Sequence, residues 1–356
     1  MSQFRYLLFV FGIFFLVVSG CKENETKPKV DFTKIEGKTM GTTYHISYSS
    51  KINLQNEIDS LLVDFNNSVS TYIPTSTISK FNQANKEYCF NQQDDPFFLE
   101  SLSRALEISL ETDGAFDPTV MSLVNYWGFG YGGRDEVKKP NEKVLDSLLS
   151  LVGYKKIGIM TKNDTICIFK EKTGVQLDLS ASAKGHGVDL VASLIASKGI
   201  ENYLVEIGGE CVASGVNDAG NPWIIGINKP QKDAAIDEIQ FPINLSEKAL
   251  ATSGNYRNFY ESGEITYAHT INPVTGYALP SDILSASIIA NDCLTADAFA
   301  TACMVLGLEK SKKLINENPE LEGCFIYANA DKSDFGYYMT EGFKERVDTS
   351  QFKFEQ

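Results

Sequence analysis

Leu177–Glu210 reads LDLSASAKGHGVDLVASLIASKGIENYLVEIGGE. Leu177, Asp178 and Leu179 end an extended run. Ser180 to Gly187 is built of small residues around Lys184, which predicts a tight turn. From Val188 the apolar residues fall at Leu190, Val191, Leu194 and Ile195, a helical period, and Gly199 stands where a C′ glycine closes a helix. Tyr203, Val205 and Ile207 then alternate as a half-buried strand that runs into Gly208-Gly209. A turn of small residues feeding a helix N-terminus leaves backbone N–H groups free to face an anion. With Asp178 before it and Lys184 inside it, the segment is a candidate seat for a phosphorylated ligand. Such turns also serve only as close-packing devices, so the stretch by itself leaves both readings open.

Upstream, Lys38–Tyr48 alternates as a strand with Gly41 allowing close approach, and Leu54, Ile58, Leu61, Leu62 and Phe65 have helical spacing. Ser68–Asn82 is polar, is interrupted by Pro74 and predicts a loop with Tyr72 at its centre, a candidate to stack on a planar ligand. Asp94-Asp95-Pro96 starts a helix that runs through Leu110 and breaks at Gly114-Ala115-Phe116-Asp117-Pro118. Asn125–Gly133 is aromatic and glycine-rich, a lid or a pocket wall. A short helix over Val144–Val152 and paired strands over Lys156–Met160 and Thr165–Phe169 lead back to Leu177. Downstream, strands are predicted over Val212–Val216, Pro222–Ile227, Leu284–Ala290 and Phe325–Ala328. Helices are predicted over Leu294–Leu306, stopped by Gly307, and over Glu309–Asn318. Ile265–Leu279 carries His269 and the turn signals Asn272-Pro273 and Thr275-Gly276. Strands and helices interleave throughout, which predicts a mixed α/β or α+β fold without internal repeats.

The chain has 356 residues and a formal net charge of −14. Arg5, the apolar run Tyr6–Val18 and Val18-Ser19-Gly20-Cys21 resemble the signal and lipobox of bacterial lipoproteins. That resemblance implies loss of residues 1–20, lipid on Cys21 and a polar tether over 21–33, ahead of one folded domain over 34–350. Losing Arg5 makes the chain more acidic still, which argues against nucleic acid as a partner. An anionic ligand would need local help from a lysine or a metal. Cys89, Cys167, Cys211, Cys293, Cys303 and Cys324 show no CxxC and no disulfide framework, although an oxidising compartment permits bridges; most are expected as small buried residues. With only 3 histidines a His-rich zinc site is disfavoured.

Asp297 and Thr301 stand four apart on a predicted helix, so both oxygens share one face. A carboxylate and a hydroxyl on one edge are a partial ligand set for a hard cation such as Mg²⁺. The same pair also reads as an ordinary helix-start Asp with an ordinary Thr. His269, in a polar loop, is a candidate general base. No P-loop, dinucleotide GxGxxG or Ser-His-Asp order is present.

Seven segments in order resemble the ApbE family of bacterial flavin transferases. They are Met40-Gly41-Thr42, Gly114–Pro118, Asp178–Asp189, Ile207-Gly208-Gly209, Thr252–Tyr256, His269–Gly276 and Ala296–Thr301. The resemblance implies a T-fold-type architecture, sheets flanked by helices with FAD in a cleft between two lobes. It implies Mg²⁺-dependent transfer of FMN from FAD to a Thr or Ser hydroxyl of an acceptor flavoprotein, with release of AMP. Met40, Tyr72, Ala115, Phe116, Asp117, Asp178, Lys184 and Ile271 become FAD contacts. Asp297, Thr301 and the Ala181 carbonyl become metal ligands with Ala300 close by, and His269 becomes the base.

The implied partner is an envelope flavoprotein with an exposed Ser/Thr acceptor motif, for example a subunit of an ion-pumping NADH:quinone or ferredoxin oxidoreductase. The implied location faces the periplasm, anchored by lipid at Cys21, with the inner membrane favoured. Three positions depart from the family pattern: Ser180-Ala181 where Gly-Gly is frequent, Glu210 where Asp is usual after Gly-Gly, and Asn272 where Asp is usual before Pro273. Two other functions remain compatible with the residues: an FAD pyrophosphatase giving FMN and AMP, and a lipoprotein that binds FAD without turnover.

Overall fold

The computed structural model describes residues 31–132, 140–230, 238–255, 259–262, 265–278, 282–328 and 335–348. Cys21, the signal segment and most of the expected tether lie outside the described residues, as do Gly133, Tyr256 and Leu279. The folded part takes in the end of the expected tether: Phe32 packs edge-on against Trp223 at 5.9 Å, and Thr33 opens the first strand.

Lys38–Tyr48 is a hairpin rather than one strand. β1 (Thr33–Thr39) and β2 (Thr42–Tyr48) pair antiparallel, and the chain reverses at Met40 (φ 49°) and Gly41 (φ 75°). Two successive left-handed residues make the tight turn whose twist matches paired strands. Alternation alone carries no sign of the reversal. There follow α1 (Gln55–Val69), α2 (Thr77–Gln83), β3 (Glu87–Asn91) and α3 (Phe98–Glu111). α2 lies inside the expected Ser68–Asn82 loop, where the Ser76 hydroxyl caps it by accepting from Ser79 N–H. α4 (Met121–Tyr126), α5 (Glu142–Leu149), β4 (Ile157–Lys162) and β5 (Thr165–Lys170) come next. β3, β5 and β4 form a small sheet in that order, and Cys89 on β3 is disulfide-bonded to Cys167 directly opposite on β5. Cross-strand register, which spacing does not disclose, creates this bridge. Cys211, Cys293, Cys303 and Cys324 are free and buried, as expected.

α6 (Ser180–Ser197) precedes β6 (Tyr203–Ile207), β7 (Glu210–Ser214), β8 (Trp223–Asn228), β9 (Ile239–Leu245) and β10 (Lys248–Gly254). β11 (Phe259–Ser262), β12 (Ile265–Ala268), β13 (Ile283–Ala290), α7 (Cys293–Leu306), α8 (Leu308–Glu317), β14 (Glu322–Ala328), β15 (Phe335–Met339) and α9 (Glu341–Lys344) complete the described chain. The main sheet has eight strands, β1-β2-β6-β7-β10-β13-β14-β15, all paired antiparallel.

Both faces of this sheet are covered. Ala249 and Ala251 of β10 and Ile288 of β13 pack toward the helices, while their neighbours Leu250 and Ile289 pack with Trp223, Ile227, Phe241 and Ile243 of the β8–β9 hairpin. That is why β13 reads as a continuous apolar run instead of an alternation. α7 lies against the sheet, α3 and α6 and is buried nearly all round. A smaller core gathers Leu123, Trp127, Leu145, Tyr267, Ile271 and Ala278.

Candidate active site

The expected turn at Ser180–Gly187 is the first two turns of α6. The physical reason is the neighbouring helix. A Cβ on Gly185 would stand 2.2 Å from the Cys293 carbonyl oxygen, so the glycine lets α6 and α7 meet backbone to backbone. A Cβ on Gly187 would come within 2.7 Å of the Met40 methyl carbon. Gly185 and Gly187 are therefore packing devices, and three amides at this helix start are already engaged. Ser180 N–H donates to Asp178 Oδ1 at 2.9 Å, and Ser182 and Ala183 N–H donate to the Leu179 carbonyl. A phosphate cradle of free N–H groups is not what this segment forms.

Leu177–Leu179 is not a strand. Leu177 is clamped at both main-chain groups by the Asn82 side chain, at 2.7 and 2.8 Å, and Asp178 N–H donates to the Pro118 carbonyl at 2.7 Å. These bonds fix Asp178 at a cleft of about 1120 Å³. The cleft lies where the smaller core meets the main one, so Val124, Phe129 and Ile271 line it with Asp178 and Asp297.

Of the sequence-derived candidates, Met40, Tyr72, Ala115, Phe116, Asp117 and Asp178 line this cleft, and so do Ala181, Lys184, His269, Ile271, Asp297 and Thr301. Ala300 is not among the lining residues: its side chain is fully buried in the main core, one turn along α7 from Asp297 and beside Thr301. Tyr72 stands at the mouth, 66% exposed, while Phe116 is buried in the wall. Asp117 serves the wall itself. Its Oδ1 accepts from Thr119 N–H at 2.8 Å and from the Thr119 hydroxyl, and its Oδ2 accepts from Tyr154 N–H at 2.7 Å; burial raises its pKa against these bonds. Asn272 keeps the turn without a charge, its Oδ1 accepting from Val274 and Thr275 N–H. Trp127 Nε1 donates to the Gly276 carbonyl at 2.7 Å and ties that turn to the smaller core. His269 is half-buried at the edge of the same cleft, beside Thr270, whose hydroxyl donates to Asn255 Oδ1 at 3.0 Å.

The charged corner is built by three elements. Lys184 of α6 reaches Glu210 Oε1, at the start of β7, at 3.3 Å and Asp297 Oδ2 of α7 at 3.6 Å. Burial alone would lower the Lys184 pKa, but Asp297 and Glu210 override it and hold the ammonium charged. Burial raises Asp297 and Glu210, with Lys184 pulling both back down. Burial favours the protonated form of Glu210, so the Lys184 ammonium is not faced by two full negative charges. Glu210 Oε2 is buried with no hydrogen-bond partner. Asp297 Oδ2 also accepts from Gly185 N–H at 3.1 Å, the donor that helix geometry directs at the Ala181 carbonyl. The Thr301 hydroxyl lies 3.3 Å from the Ser253 hydroxyl at the end of β10.

An orphaned carboxylate oxygen, a second buried carboxylate and a hydroxyl make an all-oxygen set suited to a hard cation. Among the described residues no cluster of three His, Cys, Asp or Glu side chains offers a softer metal site. Sequence reading noticed Glu210 only as a departure from pattern and missed its place in this corner. The Gly208-Gly209 turn (φ 64° and 107°), which brings β7 back beside α6, was the signal that pointed there.

A cleft of this size, walled by apolar side chains and ending in a half-buried lysine between carboxylates, defines an enzyme that handles a nucleotide-sized anionic substrate. Residues 40–325 match the ApbE family model, and the chain belongs to that family. It is 37% identical over 340 residues to the FAD:protein FMN transferase of Vibrio cholerae, covering 92% of this chain and 95% of that one. It is 30% identical to the FAD:protein FMN transferase of Escherichia coli K12, covering 96% of each. Its fold superimposes on the flavin transferase ApbE from Vibrio cholerae with a TM-score of 0.77 at 35% identity, over 89% of this chain and 99% of that one. The Pseudomonas stutzeri flavinyl transferase ApbE in its apo form gives a TM-score of 0.77 at 31% identity, over 89% and 96%.

Proposed function

We propose that this chain is an FAD:protein FMN transferase that uses Mg²⁺ and moves FMN, through its phosphate, onto a Thr or Ser hydroxyl of an acceptor flavoprotein. The observation that carries the reading is Lys184 held between Asp297 and Glu210 in a cleft that His269 also lines. FAD enters with its flavin ring among Tyr72, Phe116 and Ile271 and its pyrophosphate toward Lys184. Asp297, Thr301 and the Ala181 carbonyl are the residues suited to hold Mg²⁺, which when bound supplies Lewis-acid charge for the pyrophosphate. His269 takes the proton of the acceptor hydroxyl as its oxygen attacks the FMN phosphorus. A phosphoester bond forms, the bond to the AMP phosphate breaks, and AMP leaves. Lys184 opposes the charge that develops on the phosphoryl oxygens.

Two features support a site outside the cytosol. Cys21 follows a lipoprotein-like signal, and the Cys89–Cys167 disulfide belongs in an oxidising compartment. We place the enzyme on the periplasmic side of the envelope, held by lipid at Cys21 to the inner membrane. Its acceptor there is a flavoprotein with an exposed Ser/Thr motif, such as a subunit of an ion-pumping oxidoreductase.

The test is intact-mass measurement of candidate acceptors after incubation with enzyme, FAD and Mg²⁺. An acceptor heavier by one FMN less one water, with AMP released in equal amount, is the expected result. AMP and free FMN without covalent flavin would replace the transferase reading with a pyrophosphatase. FAD binding without AMP would replace it with a storage protein.

A further inference from the structure

We infer that the outer edge of β8 is the docking strand for the acceptor polypeptide, which adds to it as an extended segment and so carries its hydroxyl into the cleft. This rests on the transferase reading above. Pro242 of β9 stands opposite Gly226 of β8 and has no N–H to give. Its carbonyl accepts from Asp348 N–H at 3.0 Å, and Asn244 N–H donates to the Arg346 carbonyl at 2.7 Å. A strand residue sends its N–H and C=O to the same side, so Pro242 and Asn244 face the C-terminal segment and turn away from β8. Their cross-strand partners Gly226 and Ile224 therefore sit in non-hydrogen-bonded pairs. Both direct N–H and C=O to the opposite edge of β8.

Among the described residues no strand pairs with that edge, since β8 and β9 form a two-stranded sheet. Among the described residues, β9 has its free side covered by the C-terminal segment and β8 does not. The open edge is apolar, with no charge from Trp223 to Ile227, and Ile224 is 48% exposed. Edges left this way invite pairing with another chain unless lysine or proline blunts them.

The edge also faces the chemistry. Ile225, Gly226 and Asn228 line the same cleft as His269 and Asp297. Gly226 has no side chain, so what it offers the cleft is main chain. Strand addition reads a partner through its backbone and through alternate side chains, which suits an enzyme that must seat one hydroxyl of a polypeptide.

Two measurements test this with the whole chain and the acceptor found by the mass assay. In hydrogen exchange, an acceptor whose reactive Thr or Ser is replaced by alanine is added to wild-type enzyme. The Ile224 and Gly226 amides should slow by about tenfold or more, while the Ile243 amide, already paired, stays as it was. In kinetics, Ile224→Pro removes one outward N–H. Its KM for the acceptor should rise about tenfold more than that of Ile224→Ala, which keeps the N–H, with FAD affinity the same in both. Unchanged exchange at both amides, or equal KM in the two variants, overturns the inference. So does protection that grows with enzyme concentration in the absence of acceptor, which would give the edge to a second copy of the chain. The transferase reading fails separately, if wild-type enzyme leaves no covalent flavin on any acceptor.

Discussion

Gly185 and Cys293 touch through their backbones: a single methyl group on Gly185 would overlap the Cys293 carbonyl at 2.2 Å. Lys184 and Asp297 project from the two helices joined at this point, and Gly185 N–H itself donates to Asp297. Gly185→Ala is expected to force α6 off α7, at a cost of about 1–3 kcal/mol for overpacking. A thermal melt should show a fall of several degrees. Transfer activity should fall further than stability explains, because the lysine and the carboxylate move apart together.

Glu210→Gln keeps the shape of the side chain and removes its charge. The corner then loses one of the two carboxylates facing Lys184. FAD affinity should hold, since burial already favours the uncharged form of Glu210. Affinity for Mg²⁺ in the presence of FAD, read by titration calorimetry, should weaken by about tenfold, the usual scale for losing a supporting carboxylate. Equal Mg²⁺ affinity in variant and wild type would remove Glu210 from the cation site.

His186 gives a pH signature. It is 2% exposed, beside the Ser101 hydroxyl at 2.8 Å and edge-on to Phe65, and burial pushes its imidazole down to about 4. The unfolded chain takes up this proton near pH 6.5 and the folded one resists until about pH 4. The stability that the neutral imidazole contributes is therefore complete above pH 6.5 and is lost as pH falls toward 4, by up to about 3 kcal/mol. Asp189 works the other way. Burial pushes it up to about 7 despite the N–H groups of Cys293 and Leu294, so its penalty grows as pH rises from about 4 to 7. Asp117, Asp178, Glu210 and Asp297, also raised by burial, act in the same direction as Asp189, so the wild-type profile is a sum over all of them. Denaturant melts of wild type and His186→Phe between pH 4 and 7 isolate the histidine: the wild type should lose stability relative to the variant on the acid side.

Reduction should weaken the fold without touching the cleft. The Cys89–Cys167 bridge closes a loop with a sequence separation of 78 and lies on the small sheet. Its loss is expected to cost about 2–4 kcal/mol. Dithiothreitol should lower the melting temperature of wild type but not that of the Cys89→Ser, Cys167→Ser variant.

The sequence carried the site better than it carried the elements. Lys184, Asp297, Thr301 and His269 stood out as candidates by residue type and spacing, the ApbE resemblance assigned them to one site, and they converge on one cleft. Ala300 was legible only through resemblance, because a side chain without polar atoms carries no chemical signal; its methyl group is buried. The helix start at Ser180 was hidden because glycines argue against a helix, and only contact with α7 explains them. The Met40-Gly41 reversal and α2 were lost in the same way. Local pattern records which residues are apolar, and not where the chain turns back or which strand lies alongside. Glu210 looked like a conservative departure until Lys184 was found beside it.

The backbone contact between α6 and α7 has a mechanical consequence. Helices seated that closely have no slack, so the wall bearing Lys184, Asp297 and Thr301 behaves as an anvil. Phe129 and Pro273, the latter in the turn that Trp127 ties to the smaller core, line the same cleft. A dinucleotide entering there meets Lys184, Asp297 and Thr301 already held in register.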